Sequence, residues 1–229
     1  MLLDLIMGGD MLNVIIGFCV SAFIVFCVLP IHEFAHAWVA YKLGDDTAKM
    51  SGRLTISPFA HVDWLGAAMI LLVGFGYAKP VPVNVMRTKL KNKKLATAII
   101  ALAGPASNLL MAFLSTVVFT IIGRSFTSDN SMAVAFYIFF KYSAIININL
   151  AVFNLIPIPP LDGSRVLTAV LPTELYFKIM KYERYMILIV MALIIFNVLT
   201  IPLNFVSGLI SSGFESLASA IYNLFALLF

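Results

Sequence analysis

Long apolar windows separated by short polar segments dominate the hydropathy pattern of the chain. Residues 11–31, 95–123 and 185–214 contain no Asp, Glu, Lys or Arg, and residues 131–161 contain Lys141 as their one charged residue. An α-helix needs about 20 apolar residues to cross the hydrocarbon core of a bilayer. The pattern therefore predicts spans over residues 11–31, 95–122, 132–154, 186–200 and 205–229.

Helix-breaking residues define the ends of the predicted elements. We expect the first helix to continue to about Leu43, and Pro202 and Asn204 to separate the last two spans. Residues 64–78 are short for a crossing and contain three glycines, which favours a re-entrant element. The predicted fold is an all-α polytopic membrane protein, one domain over residues 1–229, with about five to six transmembrane helices.

The composition supports the membrane assignment. Hydrophobic residues make up 62% of the chain and charged residues 11%, whereas soluble domains are usually about 45–50% apolar and about 25% charged. The two cysteines, Cys19 and Cys27, lie in the first apolar window, where free, packed thiols are expected. Asp4 and Asp10 precede that window and no Lys or Arg does, so we expect a retained span instead of a signal peptide.

Basic residues are concentrated in two loops. Residues 79–94 carry six Lys or Arg and residues 178–184 carry three, whereas the segment around Arg124 is nearly uncharged. Because positively charged loops remain in the cytosol, these two loops are predicted to be cytosolic and the N-terminus to face outward. The same bias accounts for the net charge of +4, so no nucleic-acid partner is expected.

The sequence HEFAH, residues 32–36, follows the first apolar window. On a helix His32 and His36 are rotated by only about 40° from each other, so both imidazoles can bind one metal ion. Glu33 lies about 100° away, where it can act as a general base, the arrangement of H-E-x-x-H metalloproteases. The alternative is a pair of structural core histidines. An ionisable side chain directly after a charge-free span is costly and usually functional, which favours metal binding.

A catalytic zinc site usually has three protein ligands. One candidate is His61, the third histidine of the chain, although loop histidines are usually structural. Asp162 is the better candidate because it follows three prolines that end an apolar span and open the backbone to a cavity. Asp162 could instead cap a helix that begins at Gly163 or Ser164. With His32 and His36 elsewhere in the chain, we favour ligation.

The two motifs together resemble those of the site-2 protease family of intramembrane zinc metalloproteases, in the short form without PDZ or CBS domains. HEFAH matches the family's HExxH, and NLIPIPPLDG, residues 154–163, matches its second motif at Asn154 and Asp162. GPASN, residues 104–108, and AKPVPVN, residues 78–84, also resemble family elements. The similarity extends over residues 32–165.

The resemblance implies cleavage of peptide bonds in or near the membrane, with one Zn²⁺ per chain held by His32, His36 and Asp162. Glu33 would be the general base, and Asn154 would donate to the developing oxyanion or form a helix–helix hydrogen bond. Asn147 shares nearly the same helical face as Asn154 and is expected to line the same cavity, whereas Asn149 matches that face less closely.

The expected substrates are single-span membrane proteins or peptides, cleaved at a site nearer the cytosolic side of the cell membrane. Residues 53–56 are expected to be extended and to pair with the substrate, and residues 64–78 to move as a gate. The alternative functions are a metal-ion transporter, which would not require Glu33, and a non-catalytic metal-binding membrane protein.

Overall fold

A computed structural model describes residues 11–73, 78–126, 130–172, 174–175, 178 and 181–228. The described residues form helices and no β-strand. The helices are α1 Met11–Phe23, α2 Leu29–Lys42, α3 Thr47–Met50, α4 Pro58–His61, α5 Trp64–Val73, α6 Lys93–Ser125, α7 Ser131–Asn154, α8 Asp162–Val166, α9 Glu183–Ile195 and α10 Thr200–Leu228. Short 3-10 helices lie over Val85–Arg87 and Leu167–Ala169.

Three of the described helical segments are long and apolar enough to cross a membrane: Gly17–Lys42, Lys93–Ser125 and Ser131–Asn154. They confirm the first three predicted spans. The helical segments begin and end close to the predicted positions because polar side chains cap two of them. The side-chain oxygens of Asn92 and Asn130 accept hydrogen bonds from the N–H groups of Leu95 and Ala133.

The first span contains a π-helical turn, Ile24–Val28, that joins α1 to α2 without a break in helical backbone angles. The cause is Pro30, which has no N–H and whose ring would collide with the carbonyl of Phe26 in a regular helix. The Leu29 N–H bonds to Ile24 O instead, which widens the helix just before the proline. The widened turn lies directly before the HEFAH sequence.

The last two predicted spans correspond to α9 and α10, but the boundary between these helices differs from the predicted one. The chain breaks after Ile195 instead of at Pro202, because Asn197 adopts the left-handed conformation, with φ of 58°. Pro202 lies in the first turn of α10, where its missing N–H has no helical partner to lose. Within the described part of the chain, neither α9 nor α10 meets the criteria of length and composition for a membrane span.

Two other predicted features remain predictions. The proposed re-entrant element corresponds in part to α5, and residues 74–77 lie outside the described residues. The described backbone forms no strand at residues 53–56, where turns and bends precede α4. The extended conformation occurs later, over residues 78–84, and Asn84 has β-region dihedral angles.

Helix α6 lies at the core of the molecule and packs against both α2 and α7 along small side chains. Ala37, Ala101, Ala112 and Ala151 are all at most 2% exposed. Small residues allow helix backbones to approach closely, which is the main source of packing energy between helices in a bilayer. Large residues such as Leu110, 59% exposed, point outward, as expected for a lipid-facing surface.

A buried carboxylate connects the turn after α2 to the 78–84 segment. Asp45 is fully buried, and its Oδ1 accepts hydrogen bonds from the backbone and hydroxyl of Thr47. Its Oδ2 accepts the backbone N–H of Asn84 at 2.6 Å. A second link is the bond from Lys89 N–H to Leu43 O, 2.7 Å. Asp45 therefore holds one end of the segment that reaches the candidate site.

We expect Asp45→Ala to lower the free energy of unfolding by about 1–3 kcal/mol, because the hydrogen bonds from Thr47 and Asn84 to this buried carboxylate are lost. Thermal unfolding of the purified protein in detergent measures the effect. Asp46→Ala is the matched control: Asp46 is about half exposed and pairs with Arg87 at 3.0 Å, so its loss should cost at most about 1 kcal/mol. Equal destabilisation by both substitutions would contradict this role of Asp45.

Candidate metal centre and active-site cavity

Three side chains from two helices converge at the centre of the molecule. His32 and His36 come from successive turns of α2, and Asp162 is the first residue of α8. The Nε2 atoms of the two histidines are 3.1 Å apart, and Asp162 Oδ2 lies 3.2 Å from His32 Nε2 and 3.3 Å from His36 Nε2. Among the described residues, these three form the cluster that could hold a metal ion.

The triangle has the dimensions of a tetrahedral metal site. Zinc–ligand bonds of about 2.0–2.1 Å place neighbouring ligand atoms about 3.3 Å apart, close to the three observed separations. The orientation of His36 also fits, because its Nδ1 donates to Ile100 O at 2.7 Å and its Nε2 lies next to the other two donor atoms of the cluster. Two nitrogens and one carboxylate oxygen are donors that zinc accepts, and the arrangement leaves a fourth direction for water.

Gly104 of α6 lies directly against the two imidazole rings. A Cβ atom built on Gly104 would be 2.5 Å from Nε2 and Cε1 of His32 and closer still to Nε2 of His36. Neither the rings nor the α6 backbone can accommodate such a contact, so only glycine fits here. GPASN thus has a specific role in this structure: its glycine lets α6 cover one side of the histidine pair.

Asp162 reaches the histidines because the chain reverses direction after α7. Pro157, Pro159 and Pro160 prevent the helix from continuing. A Cβ on Gly163 would lie 2.6 Å from Ile156 O and closer to the Leu155 carbonyl, so the returning chain also requires glycine. The interpretation of Asp162 as a helix cap is wrong: Leu161 is the N-cap of α8, and no side chain caps it.

Burial opposes ionisation of Asp162, but its hydrogen bonds with His32 and His36 outweigh this cost and hold the pKa of the carboxyl well below its usual range. Asp162 is therefore a carboxylate at neutral pH. Asp162 thus supplies a charged oxygen donor next to the nitrogen donors of His32 and His36.

Glu33 lies beside the histidine pair and is oriented by the 78–84 segment. Its Oε2 accepts the backbone N–H of Val81 at 3.0 Å. Arg53 is buried and holds the start of this segment, since its Nη2 donates to Lys79 O at 2.7 Å and to Pro80 O at 3.3 Å. One carboxylate oxygen is thus engaged by the backbone, which leaves the other for a proton.

His61 lies outside the cluster and has a structural environment. It is fully buried, its Nε2 donates to Thr55 O at 2.7 Å, and its carbonyl accepts the N–H of Lys79 at 2.8 Å. Burial lowers the pKa of the His61 imidazole, so the ring is neutral. The preference for Asp162 over His61 as the third donor agrees with this geometry.

The cluster opens into a cavity of about 640 Å³ that Asn154 and Asn149 also line. Asn147, predicted to line it, is instead fully buried, and its Nδ2 donates to Ser143 O at 2.9 Å. The prediction for Asn147 was wrong, because Asn147 belongs to the part of α7 that packs inside the protein. The face toward the cavity carries Ile146, Asn149, Leu150 and Phe153.

Sequence reasoning missed the groups that position the site. The partner of Glu33 is the main-chain N–H of Val81, and the partner of His36 is the carbonyl of Ile100. Backbone atoms have no residue-type signal, so only the fold identifies them. Arg53 could have been identified from the sequence, because a lone arginine in the segment before an apolar helix requires several hydrogen-bond acceptors.

Helices packed through small residues surround a buried cluster of two histidines and a carboxylate that could hold a metal ion, as in a metal-dependent membrane hydrolase. A family model described as Peptidase family M50 matches residues 20–198. The chain belongs to this family, which confirms the resemblance to site-2 proteases. No solved structure matches the chain significantly.

Several curated proteins are similar to the chain. The "Putative zinc metalloprotease YwhC" of Bacillus subtilis is 40% identical over 168 residues, which cover 72% of this chain and 74% of YwhC. The "Putative zinc metalloprotease Rip2" of Mycolicibacterium smegmatis is 28% identical over 170 residues, 73% of this chain and 63% of Rip2. Rip2 of Mycobacterium tuberculosis H37Rv is 31% identical over 159 residues, 68% of this chain and 56% of Rip2.

We expect Gly104→Ala to reduce metal affinity by about tenfold or more, because the added methyl group displaces both imidazole rings. Metal content of the purified protein, measured by plasma emission after dialysis, tests this. Gly123→Ala is a matched control on the same helix, since its Cβ would meet the ring of Tyr137 at 2.9 Å, far from the cluster. A Gly104→Ala protein with full metal content would contradict the argument.

Proposed function

We propose that the protein is an intramembrane zinc metalloprotease that hydrolyses peptide bonds of membrane-spanning substrate proteins. The observation that carries the proposal is the triangle of His32, His36 and Asp162, with edges of 3.1–3.3 Å, beside Glu33 in one cavity. Membership of a peptidase family and relatives named as zinc metalloproteases support it.

In this proposal His32, His36 and Asp162 are the protein ligands of one Zn²⁺. A zinc ion held there would make water a stronger acid and would polarise the scissile carbonyl. His36 is held in the required orientation by Ile100 O, and Gly104 prevents the rings from moving toward α6. The cluster is thus arranged before a substrate arrives, which reduces the reorganisation required during catalysis.

Glu33 is the proposed general base. It removes a proton from the attacking water and later delivers it to the leaving amine, while Val81 N–H keeps the carboxylate in place. Asn154 lines the same cavity and is proposed to donate its amide to the oxyanion that develops on the carbonyl. Both residues act on atoms of the substrate peptide bond or of the water that attacks it.

The proposed setting is the cell membrane, crossed about five to six times, with α9 and α10 accompanying the three spans. Residues 79–94 are basic, so the end of α6 that begins at Lys93 is proposed to be cytosolic. Gly104, and with it the metal cluster, lies nearer that end of the helix than the other. Single-span membrane proteins or peptides are the proposed substrates.

A metal-ion transporter is the alternative, but the position of Glu33 does not favour it. A transport pathway would not require Glu33, which is not a member of the metal-ligand cluster and is held beside it by a backbone N–H. A non-catalytic metal-binding protein would likewise not require that carboxylate.

We expect Glu33→Gln to retain zinc and to lose cleavage by a factor of at least about 100, because the amide keeps the size of the side chain but cannot accept the proton. Zinc is measured by plasma emission. Cleavage is measured by immunoblot of a panel of co-expressed single-span proteins, with and without chelator.

Two further substitutions serve as contrasts. Asp162→Ala removes one donor and should lose both zinc and cleavage, whereas His61→Ala should retain zinc because His61 lies outside the cluster. Retained cleavage in Glu33→Gln contradicts the proposed base. Loss of zinc in His61→Ala together with retention in Asp162→Ala contradicts the proposed ligands.

The orientation is tested by cysteines at the two ends of α6, in a protein whose Cys19 and Cys27 are replaced by alanine. We expect Lys91→Cys, on the basic side, to react with a membrane-impermeant maleimide only after the cells are opened. Ser125→Cys should react in intact cells. Both side chains are exposed in the structure. The reverse labelling order would place the active site nearer the outer face.

A further inference from the structure

Two charged side chains project from the surface of the helical bundle, far from the metal cluster. Lys141 of α7 and Glu215 of α10 are both exposed. The ammonium of Lys141 lies 5.8 Å from the centre of the Tyr137 ring, and Glu215 Oε1 accepts the hydroxyl of Ser211 at 3.3 Å. Within the described part of the chain, neither Lys141 nor Glu215 makes an ion pair.

The two charges lie at nearly the same height on the bundle, as the contacts of their helices with α6 show. On α7, Ser143 follows the lysine by two residues and faces Ser115 of α6, with the hydroxyl oxygens 3.2 Å apart. On α10, Phe214 directly precedes the glutamate and packs on Phe113 of α6, with ring centroids 5.3 Å apart. With α7 antiparallel and α10 parallel to α6, a rise of about 1.5 Å per residue places the two charges within about 5 Å of each other along the α6 axis.

This height lies inside the apolar belt of the bundle. Exposed apolar side chains lie on both sides of it along each helix: Phe136 and Ile145 on α7, and Leu209 and Phe225 on α10. A charged side chain in the hydrocarbon region is costly, and such residues usually pair with one another or face a cavity. Neither of the two charged residues lines the active-site cavity. We therefore expect a protein partner in the membrane to supply the opposite charges.

The face of α10 that carries the glutamate is shaped for close packing against another helix. Four residues fall within about 60° around the helix axis: Gly208, Ser212, Glu215 and Ser219. Gly208 and Ser212 are exposed, and a Cβ built on Gly208 would meet no atom within 4 Å. Small residues four positions apart allow the backbones of two membrane helices to approach closely. This face, residues 208–219, is therefore suited to contact with a second protein helix.

We propose that this face of α10 is the contact surface between two copies of the chain, with Glu215 of each copy paired to Lys141 of the partner subunit. A twofold contact is self-complementary, because every interaction made by one copy is repeated in reverse by the other. A twofold axis along the membrane normal preserves height, so the matching heights of the two charges allow both ion pairs to form at once. A substrate span docked on α10 would leave Lys141 without a partner, which favours a second copy. This contact is independent of the proposed proteolytic function.

The test measures association of the full chain in liposomes, by energy transfer between donor- and acceptor-labelled copies over a range of protein-to-lipid ratios. The label is attached at Lys91→Cys, with Cys19 and Cys27 replaced by alanine. We expect the parent protein to dimerise. Lys141→Glu and Glu215→Lys should each weaken dimerisation at least about tenfold, because each places like charges at both contacts. Mixing the two variants restores opposite charges at both contacts and should return association to within about threefold of the parent.

Two glycine substitutions form a matched pair. Gly208→Leu fills the proposed contact and should weaken dimerisation at least about tenfold. Gly213→Leu is the control, since a Cβ on Gly213 also meets no atom within 4 Å, but the residue lies about 140° from Gly208 around the helix. It should leave dimerisation unchanged. Both substitutions replace glycine by a stronger helix former, so a difference between them reports on the contact and not on helix stability.

Monomers at every protein-to-lipid ratio would overturn the proposal, as would equal effects of Gly208→Leu and Gly213→Leu. Single charge reversals that associate like the parent would overturn it too, and so would folded reversal variants that fail to associate when mixed. If a reversal prevents folding, Lys141→Met and Glu215→Gln decide the question, since they remove the charges at similar size. Each should weaken dimerisation by about fivefold or more, and unchanged association in both would overturn the ion pairs.

Discussion

The close contact between Gly104 of α6 and the imidazoles of His32 and His36 is the constraint on which the rest of the structure depends. It brings α6 onto α2 at the only kind of residue that leaves room for two rings. It also brings Ile100, one turn earlier on α6, to the Nδ1 of His36. The packing of two helices and the chemistry of the metal ligands are therefore determined by the same contact. Asp162 completes the cluster from a third element, where Gly163 permits a similarly close approach.

Irregular backbone provides most of the groups that hold charged and polar side chains in place. Val81 N–H holds Glu33, the carbonyls of Lys79 and Pro80 hold Arg53, and Asn84 N–H holds Asp45. The 78–84 segment borders the cavity, and its main-chain N–H and C=O groups bind the charged side chains around the site. The same segment presents valines to the cavity, so a single element both orients the proposed base and contributes to the substrate surface.

The cavity combines an apolar wall with a few side-chain amides. Asn149 and Asn154 enter from α7 and Asn204 from α10, and the donor cluster lies among them. An apolar lining with few polar groups is typical of sites that bind by shape and orient by hydrogen bonds. For a substrate that arrives as a membrane helix, such groups can replace the hydrogen bonds that unwinding removes.

Much of this protein could be predicted from the sequence alone. Charge-free windows determined three spans, because hydropathy and length are local properties. The i, i+4 spacing of His32 and His36 placed two donors together, since helix geometry is also local. Only the tertiary structure decided which face of α7 borders the cavity, so Asn149 lines it and Asn147 does not. Likewise, only the fold identified the backbone partners of Glu33 and His36 and showed that Thr200 and Asn204 line the cavity. The physical reason is that these contacts join residues far apart in the chain, and the periodicity of one helix carries no information about what packs against it.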